Sequence, residues 1–84
     1  MAQVGSAVTY VDPLGVEHAA IITARFDGKS GDSAEPIDAT KCVNVVYVSS
    51  NADEFDQYGR QLKRETSVQG GASGVTAHGR FWRE

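Results

Sequence analysis

The chain has 84 residues, of which 40% are hydrophobic and 23% are charged, so its length allows one compact core and its composition is that of a globular protein. No apolar run approaches the roughly 20 residues that a membrane-spanning helix needs. The formal net charge of −3 argues against a general nucleic-acid binder, because phosphate recognition depends mainly on lysine and arginine. We therefore expect residues 1–84 to form a single domain that contacts no membrane.

The N-terminus and the cysteine content indicate where the protein works. Residues 1–5 show neither a basic region nor an apolar stretch, so no secretion signal is expected and we predict a cytoplasmic protein. Cys42 is the only cysteine, which excludes an intrachain disulfide and a zinc cluster built from thiolates of one chain. Stability must come from packing, and we expect a homo-oligomer. No cofactor is predicted.

The first half of the chain predicts a β-hairpin and a long loop. Residues 7–11 are β-branched and aromatic, and they stop at a turn sequence with proline and glycine at residues 12–15. Residues 17–26 return as a strand with apolar residues on both faces, one of which is expected to hold His18, Ala20, Ile22, Ala24 and Phe26. The segment 27–41 has no apolar periodicity, which predicts a solvated loop that is either a lid or a tether.

The second half predicts three further strands. Residues 42–48 form the most apolar run and are expected at the centre of the sheet. Ser50 or Asn51 is then expected to cap a single helical turn through residues 53–55. Residues 60–69 predict a strand that turns one modestly apolar row inward, consisting of Leu62, Arg64, Thr66 and Val68. A glycine-rich turn at 70–74 precedes a short aromatic strand at 79–83.

These elements predict the fold class. Five short strands, glycine and proline turns and no long helix indicate an all-β protein. We expect a small, five-stranded SH3-like barrel that is partly open and contains at most one helical turn.

The sequence nominates no catalytic or metal-binding motif. Gly28-Lys29-Ser30 resembles the end of a phosphate-binding P-loop, but residue 23 is threonine where that motif requires glycine. Residues 71–74 miss the Gly-x-Ser-x-Gly nucleophile elbow by one position. His18 and His78 are far apart in the chain, and a hydrogen-bonded structural imidazole explains each better than a metal ligand. We therefore predict no metal site, no catalytic residue and no enzymatic activity.

The last third of the chain is basic and aromatic. Residues 1–56 carry three basic and nine acidic residues, a balance of −6, whereas residues 57–84 carry five basic and two acidic residues, a balance of +3. Phe81 and Trp82 are adjacent, so on a strand they face opposite ways. We predict a ligand-binding surface that consists of Tyr58, Arg60, Arg64, His78, Arg80, Phe81 and Trp82. The alternative, in which Trp82 closes the barrel and Phe81 covers a seam, stays open because so small a core needs its large rings.

Several short segments together form a recognisable pattern. They are Val8-x-Tyr10-Val11-Asp12, Gly15-x-x-His18-x-Ala20, Thr23-Ala24, Val43-Asn44-Val45-Val46, Arg64-x-Thr66-Ser67-Val68 and Ala77-His78-Gly79-x-x-Trp82. This pattern resembles a group of small, uncharacterised phage and prophage proteins. The resemblance implies a phage origin and an SH3-like barrel but no assigned reaction. By analogy it also implies a virion component, or an inhibitor or sponge of a host defence.

The sequence supports two functional hypotheses. The first is a non-enzymatic phage binding module that sequesters a small anionic or nucleotide-like ligand between subunits, in the cytoplasm of an infected bacterium, through stacking and arginine contacts. It predicts that Arg64→Ala or Trp82→Ala abolishes ligand binding in a barrel that stays folded. The second is a virion-associated or host-protein-binding adaptor that takes no small-molecule ligand and assembles through an exposed sheet edge or an aromatic patch.

Overall fold

The structure, a computed structural model, describes residues 2–29, 35–51, 53–73 and 79–84. Within these residues the chain forms β-strands joined by turns, with a 3-10 turn at Gly71–Ser73. The strands are β1 (Ala7–Val11), β2 (Glu17–Phe26), β3 (Cys42–Val48), β4 (Phe55–Asp56), β5 (Gly59–Arg60), β6 (Leu62–Val68) and β7 (Phe81–Arg83). The described part of the chain has no helix long and apolar enough to span a membrane.

Five of the strands form one antiparallel sheet in the order β6-β3-β2-β1-β7, and β4 pairs with β5 in a separate two-stranded hairpin. The sheet curls until its two ends approach each other. There the backbone N–H of Trp82 donates to the carbonyl of Gln69 at 3.0 Å, and Gly70 forms an isolated bridge with Trp82. The barrel is not closed beyond this contact. The predicted all-β fold with a partly open, five-stranded barrel is confirmed.

The β1–β2 hairpin forms where the sequence predicts it, because Asp12 organises the turn. The N–H of Gly15 donates to the Asp12 carbonyl at 2.9 Å, and the N–H groups of Leu14 and Val16 both donate to Asp12 Oδ1 at 2.9 Å. Gly15 has a φ of 83°, a left-handed conformation that glycine adopts without steric cost. The hairpin register then places Tyr10 opposite His18.

The core lies on the concave, inner face of the sheet. Its buried hydrophobic residues are Ala2, Val8, Tyr10, Ala20, Ile22, Ile37, Val43, Val45, Val68 and Trp82. Trp82 is fully buried, and its indole Nε1–H donates to the carbonyl of Lys41 at 2.8 Å. This hydrogen bond ties β7 to the residue before β3, so the indole joins the end of the chain to the middle of the sheet.

The described end of the 27–41 segment is anchored to the core, which corrects the expectation of a solvated loop. Ile37 is 1% exposed, and its N–H donates to the carbonyl of Ala2 at 2.6 Å. Arg25 is also buried and donates to the carbonyls of Glu35 and Pro36. The sequence did not indicate this contact with the core, because a single isoleucine forms no periodic apolar pattern. Residues 30–34 lie outside the described residues.

A β-bulge reverses the side-chain alternation near the end of β2. The register with β3 shifts between Ile22 and Ala24, so the row that begins with buried His18 does not continue to Phe26. Phe26 is 55% exposed, whereas Arg25 is 2% exposed. The expectation that Phe26 shares the inner face is therefore wrong, because one extra residue exchanges the two faces of a strand.

A second irregularity reverses the alternation of β6. The β3–β6 register shifts between Val43 and Val45, where Ser67 has a φ of 53° and donates its N–H to Asn44 Oδ1 at 2.9 Å. Val68 is buried as predicted, but Leu62 is 69% exposed, and Arg64 and Thr66 are exposed as well. The predicted inward row is thus wrong except for Val68.

The helical turn expected at residues 53–55 is replaced by an extension of the β3–β6 hairpin. Asn51 accepts the N–H of Asp53 through Oδ1 at 2.9 Å and the N–H of Glu54 through its carbonyl at 3.0 Å. The capping interaction predicted for Asn51 is therefore present, but it closes one turn that leads into β4. The helical turn in the described part of the chain lies at Gly71–Ser73 instead.

Candidate functional site

The residues predicted to bind an anionic ligand lie in separate parts of the structure. Tyr58 is 88% exposed between β4 and β5. Arg60 lies in β5 and donates through Nη1 to the carbonyl of Ser49 at 3.0 Å. Arg64 lies exposed on β6. His78 lies outside the described residues.

Arg80 directly precedes β7, and Phe81 and Trp82 lie in it. The surroundings of these three side chains differ. Arg80 pairs with Glu65, at 2.5 Å between Nη1 and Oε2. Phe81 is half-buried beside Gly71, where an added Cβ would lie 2.8 Å from the ring. Trp82 is a core residue, as in the alternative that the sequence left open. Because Glu65 and Arg64 are adjacent on a strand, Arg80 and Arg64 lie on opposite sides of the sheet.

An aromatic and polar cluster lies beside the core on the inner face. The ring centroids of His18 and Tyr47 are 4.6 Å apart, those of Tyr10 and Tyr47 are 5.0 Å apart, and those of Tyr10 and His18 are 5.7 Å apart. Burial raises the pKa of Tyr10 to about 12 and also raises the pKa of Tyr47. Both phenols therefore stay protonated at neutral pH.

The cluster is bonded to the β1–β2 turn through Asp12. His18 Nε2 lies 2.9 Å from Asp12 Oδ2, and the hydrogen bond with His18 is the main reason that the pKa of Asp12 is lowered. The same carboxylate accepts the backbone N–H groups that form the β1–β2 turn. This arrangement matches the hydrogen-bonded structural imidazole predicted for His18. No buried side-chain nitrogen or oxygen within the described residues lacks a hydrogen-bond partner.

An apolar groove of about 370 Å³ lies on the outer face, the side of the sheet away from the core. It crosses the four strands β1, β2, β3 and β6, and we call it the aliphatic groove. The lining residues that belong to the outer face are Ala7, Ala19, Ile21, Val46, Val48 and Leu62, and the groove is also bordered by Ala20 and Tyr47, whose side chains lie on the inner face. The large aliphatic side chains among them are accessible: Ile21 is 47%, Val48 is 52% and Leu62 is 69% exposed.

The strand register places a cation at one end of the aliphatic groove. Ala7 is paired with Ile21, Ile21 with Val46, and Val46 with Arg64, so these residues form one row across four strands. Cross-strand neighbours on one face lie about 5 Å apart at Cβ. The guanidinium of Arg64 makes no ion pair or hydrogen bond with a described residue. The groove thus combines apolar walls with one available positive charge.

The β4–β5 hairpin, residues 55–60, is firmly attached to the sheet. The N–H of Ser49 donates to the carbonyl of Gln61 at 2.9 Å, and the N–H of Gln61 donates to the carbonyl of Glu54 at 2.9 Å. The Glu54 carboxylate accepts the Ser49 hydroxyl at 2.8 Å and pairs with Lys63 at 2.8 Å. These contacts lower the pKa of Glu54, with the bond from Lys63 the largest cause.

The β4–β5 hairpin carries two aromatic rings that are exposed to solvent. Phe55 is 62% exposed and Tyr58 is 88% exposed. Asp56 lies between them in the chain and accepts the N–H of Tyr58 through Oδ1 at 2.8 Å, which fixes the turn. Exposed aromatic residues on rigid backbone are typical anchors of protein interfaces.

The sequence did not predict the aliphatic groove, and of the hairpin it nominated only Tyr58 and Arg60. The sequence did contain an indication of the groove, because β2 and β3 carry apolar residues on both faces of the strand. We interpreted that pattern as burial on both faces. Among the residues with described positions, no group of three His, Cys, Asp or Glu side chains is placed to hold a metal ion. Comparison of the chain with protein-family models, with curated proteins and with solved structures gave no match.

Proposed function

We propose that this protein is a non-enzymatic binding module that docks a protein partner in the aliphatic groove. The exposure of Ile21, Val48 and Leu62 in one continuous depression carries the proposal. Ligand and partner sites are typically concave and lined mostly by apolar side chains, as this groove is. Covering the groove contributes roughly 25 cal/mol for each Å² of apolar surface removed from water.

The face of the sheet is a better docking surface than either of its edges. β7 has only three residues, and β6 carries Lys63 and Arg64 before its irregularity at Ser67. The carbonyl of Thr66 on β6 already accepts Arg80 Nη2 at 3.2 Å. Charged side chains and bulges of this kind prevent strand addition. The partner therefore belongs on the face.

The resemblance to phage and prophage proteins suggests the kind of partner. In that context the module is an adaptor that joins either a virion component or a host protein in the cytoplasm of an infected bacterium. Inhibition of a host defence would then proceed by occupying the host protein. Neither route requires catalysis, in keeping with the expectation that the protein is not an enzyme.

The test is selection of a displayed random peptide library on the immobilised protein. Ile21→Glu introduces a charge into the groove, and Thr23→Glu introduces the same charge at an exposed position of β2 that does not line it. Wild type and Thr23→Glu should select the same apolar peptides, and Ile21→Glu should bind them at least about tenfold more weakly, which is 1.4 kcal/mol. Equal binding by Ile21→Glu, or no selection by the wild type, contradicts the proposal.

A second candidate function is sequestration of a small anionic or nucleotide-like ligand, and the position of Arg64 favours it. A groove of about 370 Å³ is within the range of small-molecule sites, roughly 300–1,000 Å³. In this scheme the apolar walls hold the body of the ligand, and the Arg64 guanidinium holds its anionic group.

Thermal denaturation with a panel of nucleotides tests this second candidate. A ligand present at 100 times its Kd stabilises the native protein by about 2.7 kcal/mol. The melting temperature of wild type and of the control Lys41→Gln should rise with the bound nucleotide, and that of Arg64→Gln should not. If no nucleotide raises the wild-type melting temperature, the groove does not hold this class of ligand.

A further inference from the structure

We propose that the aliphatic groove is filled by a second copy of this chain, which inserts Phe55 and Tyr58 of its β4–β5 hairpin. The inference rests on the proposed function, because it names the partner of the same groove. It requires that one surface of the chain complements another in polarity and charge. The described structure supplies both surfaces.

The two surfaces are complementary in polarity. The hairpin presents one phenyl and one phenol ring that pack against little else, since Phe55 is 62% and Tyr58 is 88% exposed. The groove offers a depression whose lining is almost entirely apolar. Docking the rings there removes apolar surface of both copies from water at once. The hydrogen bonds around Ser49 and Glu54 hold the hairpin in place, so little conformational freedom is lost on docking.

The two surfaces are also complementary in charge. Asp56 lies between the two rings of the hairpin and uses Oδ1 for the turn, while Oδ2 has no partner among the described residues. Arg64 ends the row of residues that crosses the groove and is likewise unpaired within the described chain. Seating the hairpin of one copy in the groove of another brings these opposite charges together at the edge of the contact.

The assembly closes as a dimer when the exchange is mutual. Each copy has one hairpin and one groove, so a two-fold pair satisfies both surfaces of both copies. Two equal contacts then form in a single association step. A one-way exchange leaves a hairpin and a groove unfilled at the ends, so copies add until a ring closes or an open filament grows.

Sedimentation velocity measures the state of association. Wild type and Thr23→Asp should dimerise, whereas Ile21→Asp in the groove and Tyr58→Ala in the hairpin should each raise the dimer Kd by at least about tenfold. Both altered side chains are substantially exposed, so far-UV circular dichroism should show that both variants stay folded. Because Tyr58→Ala keeps its groove and Ile21→Asp keeps its hairpin, a mixture of the two should form dimers more tightly than either variant alone.

Charge exchange gives an independent readout. Asp56→Arg and Arg64→Asp should each weaken the dimer, and a mixture of the two variants should restore opposite charges at both contacts. A wild type that stays monomeric at about 1 mM, single variants that dimerise like the wild type, or mixtures that show no gain would each overturn the inference. A monomeric wild type that still selects peptides in its groove removes the second copy but leaves the proposed function intact. Loss of peptide selection as well removes both.

Discussion

Trp82 provides the most direct test of the fold, because the structure turns a predicted ligand contact into a core residue. Its side chain is fully buried, and its Nε1–H is bonded to the Lys41 carbonyl. Replacing a buried tryptophan by alanine costs about 3–5 kcal/mol, and losing the hydrogen bond to the Lys41 carbonyl costs about 1 kcal/mol more. A domain of 84 residues has a total stability of about 4–13 kcal/mol at 0.05–0.15 kcal/mol per residue. Trp82→Ala should therefore be largely unfolded or severely destabilised.

Trp82→Phe separates the two contributions. Phenylalanine keeps an aromatic ring in the core but has no donor for Lys41, so we expect a loss of about 1–3 kcal/mol in a protein that still folds. Leu14→Ala is the control, because this side chain is 89% exposed and lies outside both the aliphatic groove and the β4–β5 hairpin, so its removal should change stability by less than about 0.5 kcal/mol.

Urea denaturation followed by far-UV circular dichroism measures all of these stabilities. Trp82 is the only tryptophan, so in the wild type its fluorescence gives an independent unfolding curve that should coincide with the dichroism. A Trp82→Ala protein as stable as the wild type would refute the assignment of the indole to the core. It would also restore the original hypothesis that this ring contacts a ligand in a folded barrel.

Three further substitutions test local contacts. Gly70→Ala should lower stability by about 1–3 kcal/mol and reduce the melting temperature, because its Cβ would collide with the Ala39 carbonyl oxygen. The hydrogen bond from Arg25 lowers the pKa of Asp27 to about 2, below its ordinary value of about 3.9. The stability from this ionised carboxylate is therefore complete above about pH 4 and is lost as the pH falls to about 2, and Asp27→Asn should remove this part of the pH dependence of the melting temperature. Burial raises the pKa of Tyr10 to about 12, so its contribution should fall as the pH rises from about 10. Tyr10→Phe should flatten that alkaline loss.

The strands were predictable wherever local chemistry determines them. β1 and β2 are bounded by a turn that Asp12 and Gly15 specify, and β3 is a run of β-branched residues that has few alternatives to a strand. Antiparallel neighbours joined by a short turn also fix their own register, so the pairing of Tyr10 with His18 follows from the turn. The all-β class could therefore be predicted from these segments alone.

For residues that follow a bulge, the face of the sheet on which each side chain lies could not be predicted. Alternation assigns Phe26 and Arg64 to the inner face, and a single inserted residue in each ladder assigns them to the outer one. The position of a bulge depends on contacts between residues that are far apart in the chain, such as the hydrogen bond from the Ser67 N–H to Asn44 on the neighbouring strand. No local pattern contains that information. The predicted ligand-binding residues lie apart for the same reason. Charge groups Arg64 with Arg80, but the sequence does not show on which face of the sheet each one lies.

β2 and β3 carry apolar residues on both faces, and this pattern gives the strongest argument for association with another molecule. Apolar residues on both faces of a strand are typical of strands that are covered on both sides. The inner face is covered, because the sheet curls over its own core and receives Ile37 and Trp82. In the described part of the chain, Ile21, Val48 and Leu62 on the outer face remain substantially exposed. Under the proposed function, the layer that covers this face comes from another molecule, either a second copy or a different protein, and the mixed-variant sedimentation experiment distinguishes the two.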